Sequence, residues 1–145
     1  MVRVDFYHLS RDPAPVALAQ IAAKAIGQGR RMLVVSGDEG QRGALSEALW
    51  EAPGFLANGM AGEVGEAVQP VLIAETAAAA ANGALIVALA DGIWRDEALA
   101  FERALLLFDS ATIDGARGAW RALGERDDVE RHYWKLVDGR WVVGP

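Results

Sequence analysis

The sequence predicts an α/β fold: a single three-layer domain, Rossmann-like, with a mostly parallel central sheet and helices on both faces. Three observations carry that expectation. Short β-rich apolar runs alternate with helix-length segments from residue 3 onward, the pattern of βαβ units. Runs such as Met32-Leu33-Val34-Val35 and Leu85-Ile86-Val87-Ala88-Leu89 are continuously apolar, which marks strands covered on both faces. The 145 residues suit one domain, 1–145, with a core that needs no staples, and no linker or internal repeat divides them.

Taken in order, residues 2–9 (Val-Arg-Val-Asp-Phe-Tyr-His-Leu) are apolar at alternate positions and read as a strand. Ser10 to Pro13 turn the chain. Residues 15–26 then place Val16, Ala19, Ile21, Ala22, Ala23 and Ile26 at helical spacing, with proline at the start and Gly27 and Gly29 at the end. Met32–Val35 is a central strand. Residues 39–50 form a helix with Leu45, Ala48 and Leu49 on one stripe, stopped by Pro53-Gly54. Residues 54–70, with four glycines, read as loop. Val71 to Ala74 is a strand, and the alanine-rich stretch 75–82 a short exposed helix or loop. Residues 84–89 are a buried strand, 91–102 a helix and 104–108 a further strand. Residues 113–123 make the last helix, ended by Gly124. The segments 129–137 and 140–143 flank Asp138-Gly139, a strong hairpin signal.

Composition narrows the function. Without cysteine there is no disulfide, thiolate nucleophile or thiolate-held metal. A net charge of −6 argues against direct contact with nucleic acid, because neutralising phosphate needs a basic surface. The N-terminus carries charges inside its first apolar stretch, unlike a signal peptide, and no apolar run approaches the ~20 residues of a membrane span; a cytoplasmic protein is expected, with no membrane partner. The charge is uneven. Residues 1–109 hold 8 basic and 14 acidic side chains, residues 110–145 hold 6 of each, and three of the five tryptophans lie in that last quarter. Arginine with large aromatics is the composition of a recognition surface.

The usual signatures of chemistry are missing. No P-loop pattern exists, and no glycine follows the first strand where a dinucleotide fingerprint would sit. Ser36-Gly37-Asp38-Glu39-Gly40 follows the second strand, but its carboxylates stand where a phosphate would bind, so it reads as a capped helix start. The two histidines, His8 and His132, lack metal-ligand spacing. The pairs Glu63/Glu66 and Asp127/Asp128 lie in solvated loops that would not separate their pKa values. No catalytic residue, metal or cofactor is expected. A nucleotide-binding or hydrolytic α/β enzyme is the alternative reading, and the absent phosphate loops count against it.

Two features remain. Arg117 and Arg121 are four apart and share a helix face, Trp120 lies beside them, and Ile113 and Ala116 extend the neighbourhood with apolar surface. Two guanidinium groups can fork onto carboxylates while the apolar patch takes an anchor, a combination suited to an acidic peptide ending in a hydrophobic residue. Trp50 closes the second helix just before Pro53-Gly54-Phe55, and two large aromatics beside a glycine loop form a second candidate partner surface.

The segments Val4-Asp5-Phe6-Tyr7-His8-Leu9, Gly29-Arg30-Arg31-Met32-Leu33-Val34, Leu45-Ser46-Glu47-Ala48-Leu49-Trp50, Gln69-Pro70-Val71-Leu72-Ile73, Leu85-Ile86-Val87-Ala88-Leu89 and Ala116-Arg117-Gly118-Ala119-Trp120-Arg121 keep an order over nearly the whole chain. In this the chain resembles the chi subunit family of bacterial DNA polymerase III, the accessory protein of the clamp-loader complex. The resemblance implies a binding protein without catalytic activity. It implies that the last helix, through Arg117, Trp120 and Arg121, receives the acidic C-terminal tail of single-stranded DNA-binding protein, whose final residue is phenylalanine; Ile113 joins them from the reading of the helix face. It implies further that the surface carrying Trp50 and Phe55 binds the psi subunit or, in competition, a helicase-like protein. The family's usual Pro-His pair after Phe55 is replaced here by Ala57-Asn58.

Overall fold

The computed structural model describes residues 1–78, 80–137 and 140–143. Eight strands lie in one sheet: β1 (Val2–His8), β2 (Met32–Val35), β3 (Asn58–Met60), β4 (Val71–Ala74), β5 (Ile86–Leu89), β6 (Arg103–Phe108), β7 (Val129–Val137) and β8 (Arg140–Val143). Their order is β3-β4-β2-β5-β6-β1-β7-β8, and every pairing is parallel except the antiparallel β7–β8 pair. Three helices, α1 (Ala14–Gly27), α2 (Glu39–Glu51) and α3 (Ile113–Gly124), complete the layers. The mostly parallel α/β class expected from the alternation is the one observed.

The sheet divides the core in two. Alternate strand residues such as Tyr7, Met32, Val34, Ile73, Ala88 and Leu105 pack under α1 and α2. Their neighbours, among them Val4, Phe6, Leu33, Val35, Leu89 and Leu106, pack against α3 and the 98–101 segment. This is the two-residue period of strands at work: one face per parity. α1 lies close to the sheet because its buried positions are small, Ala17, Ala19, Ala22 and Ala25 around Leu18. α2 begins as the sequence indicated, with Asp38 accepting from the Gln41 backbone N–H at 2.9 Å as N-cap.

The strand expected at residues 2–9 is β1, and its Val4, Asp5, Phe6 and Tyr7 are all buried, because β1 sits between β6 and β7 with core on both faces. Two expectations need correction. Segment 91–102 is not an α-helix. Asp91 instead folds the chain into a loop by accepting from the backbone of Gly37 and Ile93 and pairing with Arg95, leaving only a short 3-10 helix at Asp96–Ala100. The 54–70 segment is not wholly loop. It holds β3 and a 3-10 turn at Glu66–Val68, and a three-residue strand reading Asn-Gly-Met has no β-branched residue to announce it. The stretch 75–82, expected as a short exposed helix or loop, is loop among its described residues, with Ala77 and Asn82 buried rather than exposed. The β7–β8 pairing agrees with the hairpin expected there; its Asp138-Gly139 turn lies outside the described residues.

β1 also holds the one fully buried carboxylate of the sheet, Asp5. Arg3 and Arg103 stand opposite each other in the β1–β6 register, an unfavourable placement for like charges. Asp5, two residues from Arg3 on the same face, accepts from Arg3 at 3.1 Å, from Arg103 Nε at 2.7 Å and from the Trp134 indole at 2.8 Å. Burial alone would raise this carboxyl, but the bonds from Arg3, Trp134 and Arg103 outweigh it and hold Asp5 below the usual carboxylate range.

A candidate peptide-binding pocket beside the last helix

The start of α3 is fixed by the loops around it. Asp109 Oδ1 accepts from the backbone N–H groups of Ala111 and Thr112 at 3.0 and 3.2 Å. Gly92, at φ +76°, lets the 91–95 loop close on Thr112; a Cβ there would lie 2.5 Å from the threonine hydroxyl oxygen. From that anchor α3 turns Ala116, Ala119 and Leu123 into the core, and the alanines bring the helix near β1. Ile113 and Trp120 are left half-buried, and Arg117 and Arg121 exposed.

The sequence-predicted residues Ile113, Arg117, Trp120 and Arg121 do converge. Together with Ala116 of the same helix, Phe6 of β1, Phe108 of β6 and Tyr133 of β7 they line one cavity of about 230 Å³. Its floor is aromatic. Trp120 meets the edge of Phe6 at 5.2 Å between centroids and Tyr133 at 5.9 Å, both near perpendicular, the arrangement favoured by ring quadrupoles. Its rim is cationic. Arg117 approaches Asp114 only to 4.0 Å, with both side chains largely in solvent, and such a pair contributes little. Arg121 makes no ion pair among the described residues.

Four members of the site were not found from sequence. Phe6 and Phe108 come from strands distant in the chain. Tyr133 and Arg131 come from β7. Arg131 lies with its guanidinium carbon 4.1 Å above the Trp120 ring and donates to the Trp120 carbonyl oxygen at 2.7 Å, so it fixes the indole from outside. The available signal was the period of two: Val129, Arg131 and Tyr133 share a β7 face, and Val4 and Phe6 stand opposite Arg131 and Tyr133 in register. Tyr133 is hydrogen-bonded through its hydroxyl to His8 Nδ1 at 2.9 Å. Burial, with Lys135 and Arg117 nearby, lowers the His8 pKa, which favours the neutral ring that keeps a lone pair for this bond.

The second candidate pair behaves differently. Trp50 and Phe55 are 48% and 75% exposed, so neither serves mainly to cover the sheet. The Phe55 N–H donates to the Ala52 carbonyl at 2.9 Å across Pro53 and Gly54, and Gly54 has φ +91°, the form of a type II turn. Phe55 itself has φ +50°, the one non-glycine residue with positive φ among the described residues. That conformation costs about 1–2 kcal/mol for an L-residue and here holds an aromatic ring out in water. Asn58, just beyond this loop, is buried and bonds with Ser46 and the Leu56 carbonyl.

Parallel α/β sheets usually bind ligands where neighbouring strands send the chain in opposite directions. Here that point lies between β2 and β5. The Gly37 N–H already donates to Asp91 at 3.0 Å, and Asp91 is neutralised by Arg95 at 2.8 Å. The chain's own carboxylate thus occupies the place of a phosphate. Among the described residues, no group of three His, Asp or Glu side chains is placed to hold a metal ion, and no helix is long and apolar enough to cross a membrane.

Fold and pocket together define an α/β domain whose formed concavity suits an anionic ligand with an apolar end. The chain belongs to the family of the DNA polymerase III chi subunit, HolC, whose family model matches residues 1–129, and it is thereby a replisome accessory subunit. No curated protein matches the sequence at a significant level. The matched span covers β1 through α3; Arg131 and Tyr133 lie just beyond it.

Proposed function

We propose that this chain is a non-catalytic tether within the polymerase III assembly. The α3 pocket receives the acidic C-terminal tail of single-stranded DNA-binding protein, with the terminal phenylalanine in the cavity and its carboxylate, with the preceding aspartate, on Arg117 and Arg121. The Trp50–Phe55 surface holds the clamp-loader side, through a psi subunit or a helicase-like protein. Coated template is thereby coupled to the polymerase, and this coupling needs no direct contact between the acidic chain and DNA.

The observation that carries this reading is the pairing of an aromatic-floored cavity of about 230 Å³ with two exposed arginines at its rim. A phenylalanine ring finds edge-to-face partners in Phe6, Trp120 and Tyr133, and the arginines offer forked donors to carboxylates. Because those arginines are solvated, binding is modest and weakens with salt.

The test is titration of a peptide ending in Asp-Phe, followed by calorimetry or tryptophan fluorescence. The reading expects saturable binding that is weakened by Arg117→Ala and by Arg121→Ala and lost when the terminal phenylalanine is removed. Unchanged affinity in both arginine variants would sink the site assignment.

A further inference from the structure

On the other face of the sheet α1 and α2 cover the strands from β3 to β6, and the face of β1, β7 and β8 beyond α1 is left partly open. A cleft of about 470 Å³ runs there between α1 and the β6-β1-β7-β8 side of the sheet, within the size range of small-molecule sites. Its cations are Arg3, Lys24, Arg30 and Arg103. Two carboxylates answer them: buried Asp5, held by Arg3 and Arg103, and exposed Glu102, held by Arg30 at 2.9 Å. The cleft therefore keeps an excess of two positive charges in a chain whose net charge is −6. Lys24 makes no ion pair among the described residues.

The opposite wall is aromatic. Tyr7, Trp134 and Trp141 line the same cleft. Tyr7 and Trp134 are nearly parallel, their centroids 6.4 Å apart, and Trp141 stands edge-on to Tyr7 at 4.9 Å. The half-buried tryptophans are held in place, Trp134 by its indole bond to Asp5 at 2.8 Å. Indoles facing exposed Lys24 and the part-buried Arg3, Arg30 and Arg103 provide both contacts that a base bearing a phosphate requires: stacking for the ring, and charge for the anion.

We propose that this cleft binds a nucleoside phosphate, with the base against Trp134 and Trp141 and the phosphate toward Lys24 and Arg30. The ligand is either a free nucleotide or a terminal nucleotide of a single strand. This binding is separate from the α3 pocket, which lies on the other face of the sheet, and does not depend on it. Both tryptophans lie outside residues 1–129 that the family model matches.

Two probes are titrated at low salt: adenosine monophosphate, and a fluorescein-labelled thymidine oligonucleotide about 12 residues long. The proposal expects at least one to bind, with affinity falling as salt rises from about 50 to 200 mM. Lys24→Glu with Arg30→Glu is expected to weaken binding about tenfold or more while circular dichroism shows the fold kept. Arg117→Glu with Arg121→Glu is expected to leave it unchanged. Tighter binding of the oligonucleotide identifies a strand end, and equal or tighter binding of the mononucleotide identifies a free nucleotide. Absence of binding by both probes at millimolar concentration overturns the proposal. So does binding that survives Lys24→Glu/Arg30→Glu, or that is lost in Arg117→Glu/Arg121→Glu. The acidic tail peptide, measured on the same variants, reports separately on the α3 pocket.

Discussion

β1 sends alternate side chains to the two faces of one sheet, and the charges they meet are treated in opposite ways. Toward α1, Asp5 lies fully buried and accepts from Arg3, Arg103 and Trp134. Toward α3, Phe6 supports a cavity whose arginines, Arg117 and Arg121, have no comparable carboxylate of their own. A cation that finds its counter-charge in a buried carboxylate of the chain becomes part of the fold. One that does not is free for a partner, and it loses little by staying in water until the partner arrives.

The largest expected effect lies on the first side. Asp5→Asn removes the negative charge between two arginines and leaves them facing each other. Breaking a buried charge cluster in this way costs about 3–5 kcal/mol, read as a fall in thermal midpoint or in the denaturant midpoint at constant slope. The pH dependence has a definite sign. The folded Asp5 pKa is lowered from its ordinary value, so its stabilisation is present above about pH 4 and is lost as pH falls through the folded value. The Asn variant should show a flatter acid limb in a stability-against-pH curve. An unchanged limb would place the wild-type acid sensitivity elsewhere.

On the second side the effects move from stability to binding. Arg117→Ala and Arg121→Ala should each weaken an Asp-Phe-ended peptide by about 1–2 kcal/mol, roughly five- to thirtyfold, the value of a charge-assisted contact. Thermal stability should change by less than about 0.5 kcal/mol, as for other exposed substitutions. A large stability loss with intact binding would reverse the assignment of the two faces.

A smaller effect tests the frame around the pocket. A Cβ at Gly124 would come within 2.6 Å of the Arg131 guanidinium, so Gly124→Ala should push Arg131 away from the Trp120 ring. The cation–π contact is worth about 0.5–1 kcal/mol at such sites. A two- to fivefold loss of peptide affinity is expected, with a change in tryptophan emission. Arg131→Ala should reproduce both changes; if it alters neither, Arg131 does not position the indole.

How far the sequence reached follows from the range of each interaction. The strands β2 and β5 were legible because short, fully apolar runs have one environment available; β6, whose apolar run suits strand or helix alike, was legible only from the β-α-β alternation; and α3 was legible because Arg117, Trp120 and Arg121 obey the spacing of a helix. The other half of the pocket was not legible: Phe6, Phe108 and Tyr133 meet α3 only after β1, β6 and β7 are placed side by side, an order that local pattern does not encode. The same limit explains segment 91–102. Its helical pattern competed with Asp91, whose carboxylate finds the Gly37 backbone and Arg95 across the sheet end. Nor could whole-chain charge reveal where cations are already satisfied, which is the difference between Arg103 and Arg121.

Phe55 extends the comparison from charge to shape and has the smallest expected effect on stability. Its ring is 75% exposed and its φ is +50°, so the fold gains little from the side chain and bears the left-handed conformation. Phe55→Gly should therefore leave stability unchanged or raise it by up to about 1 kcal/mol, since glycine adopts that conformation without strain. The partner proposed for the Trp50–Phe55 surface should bind that variant at least tenfold more weakly, because aromatics at interfaces are among the residues whose truncation costs most. Co-purification of the assembly with wild type and variant, beside a thermal melt of each chain alone, separates the two quantities. A destabilised Phe55→Gly would mean that the ring packs within the chain after all, and the strain at this turn would then serve folding rather than a partner.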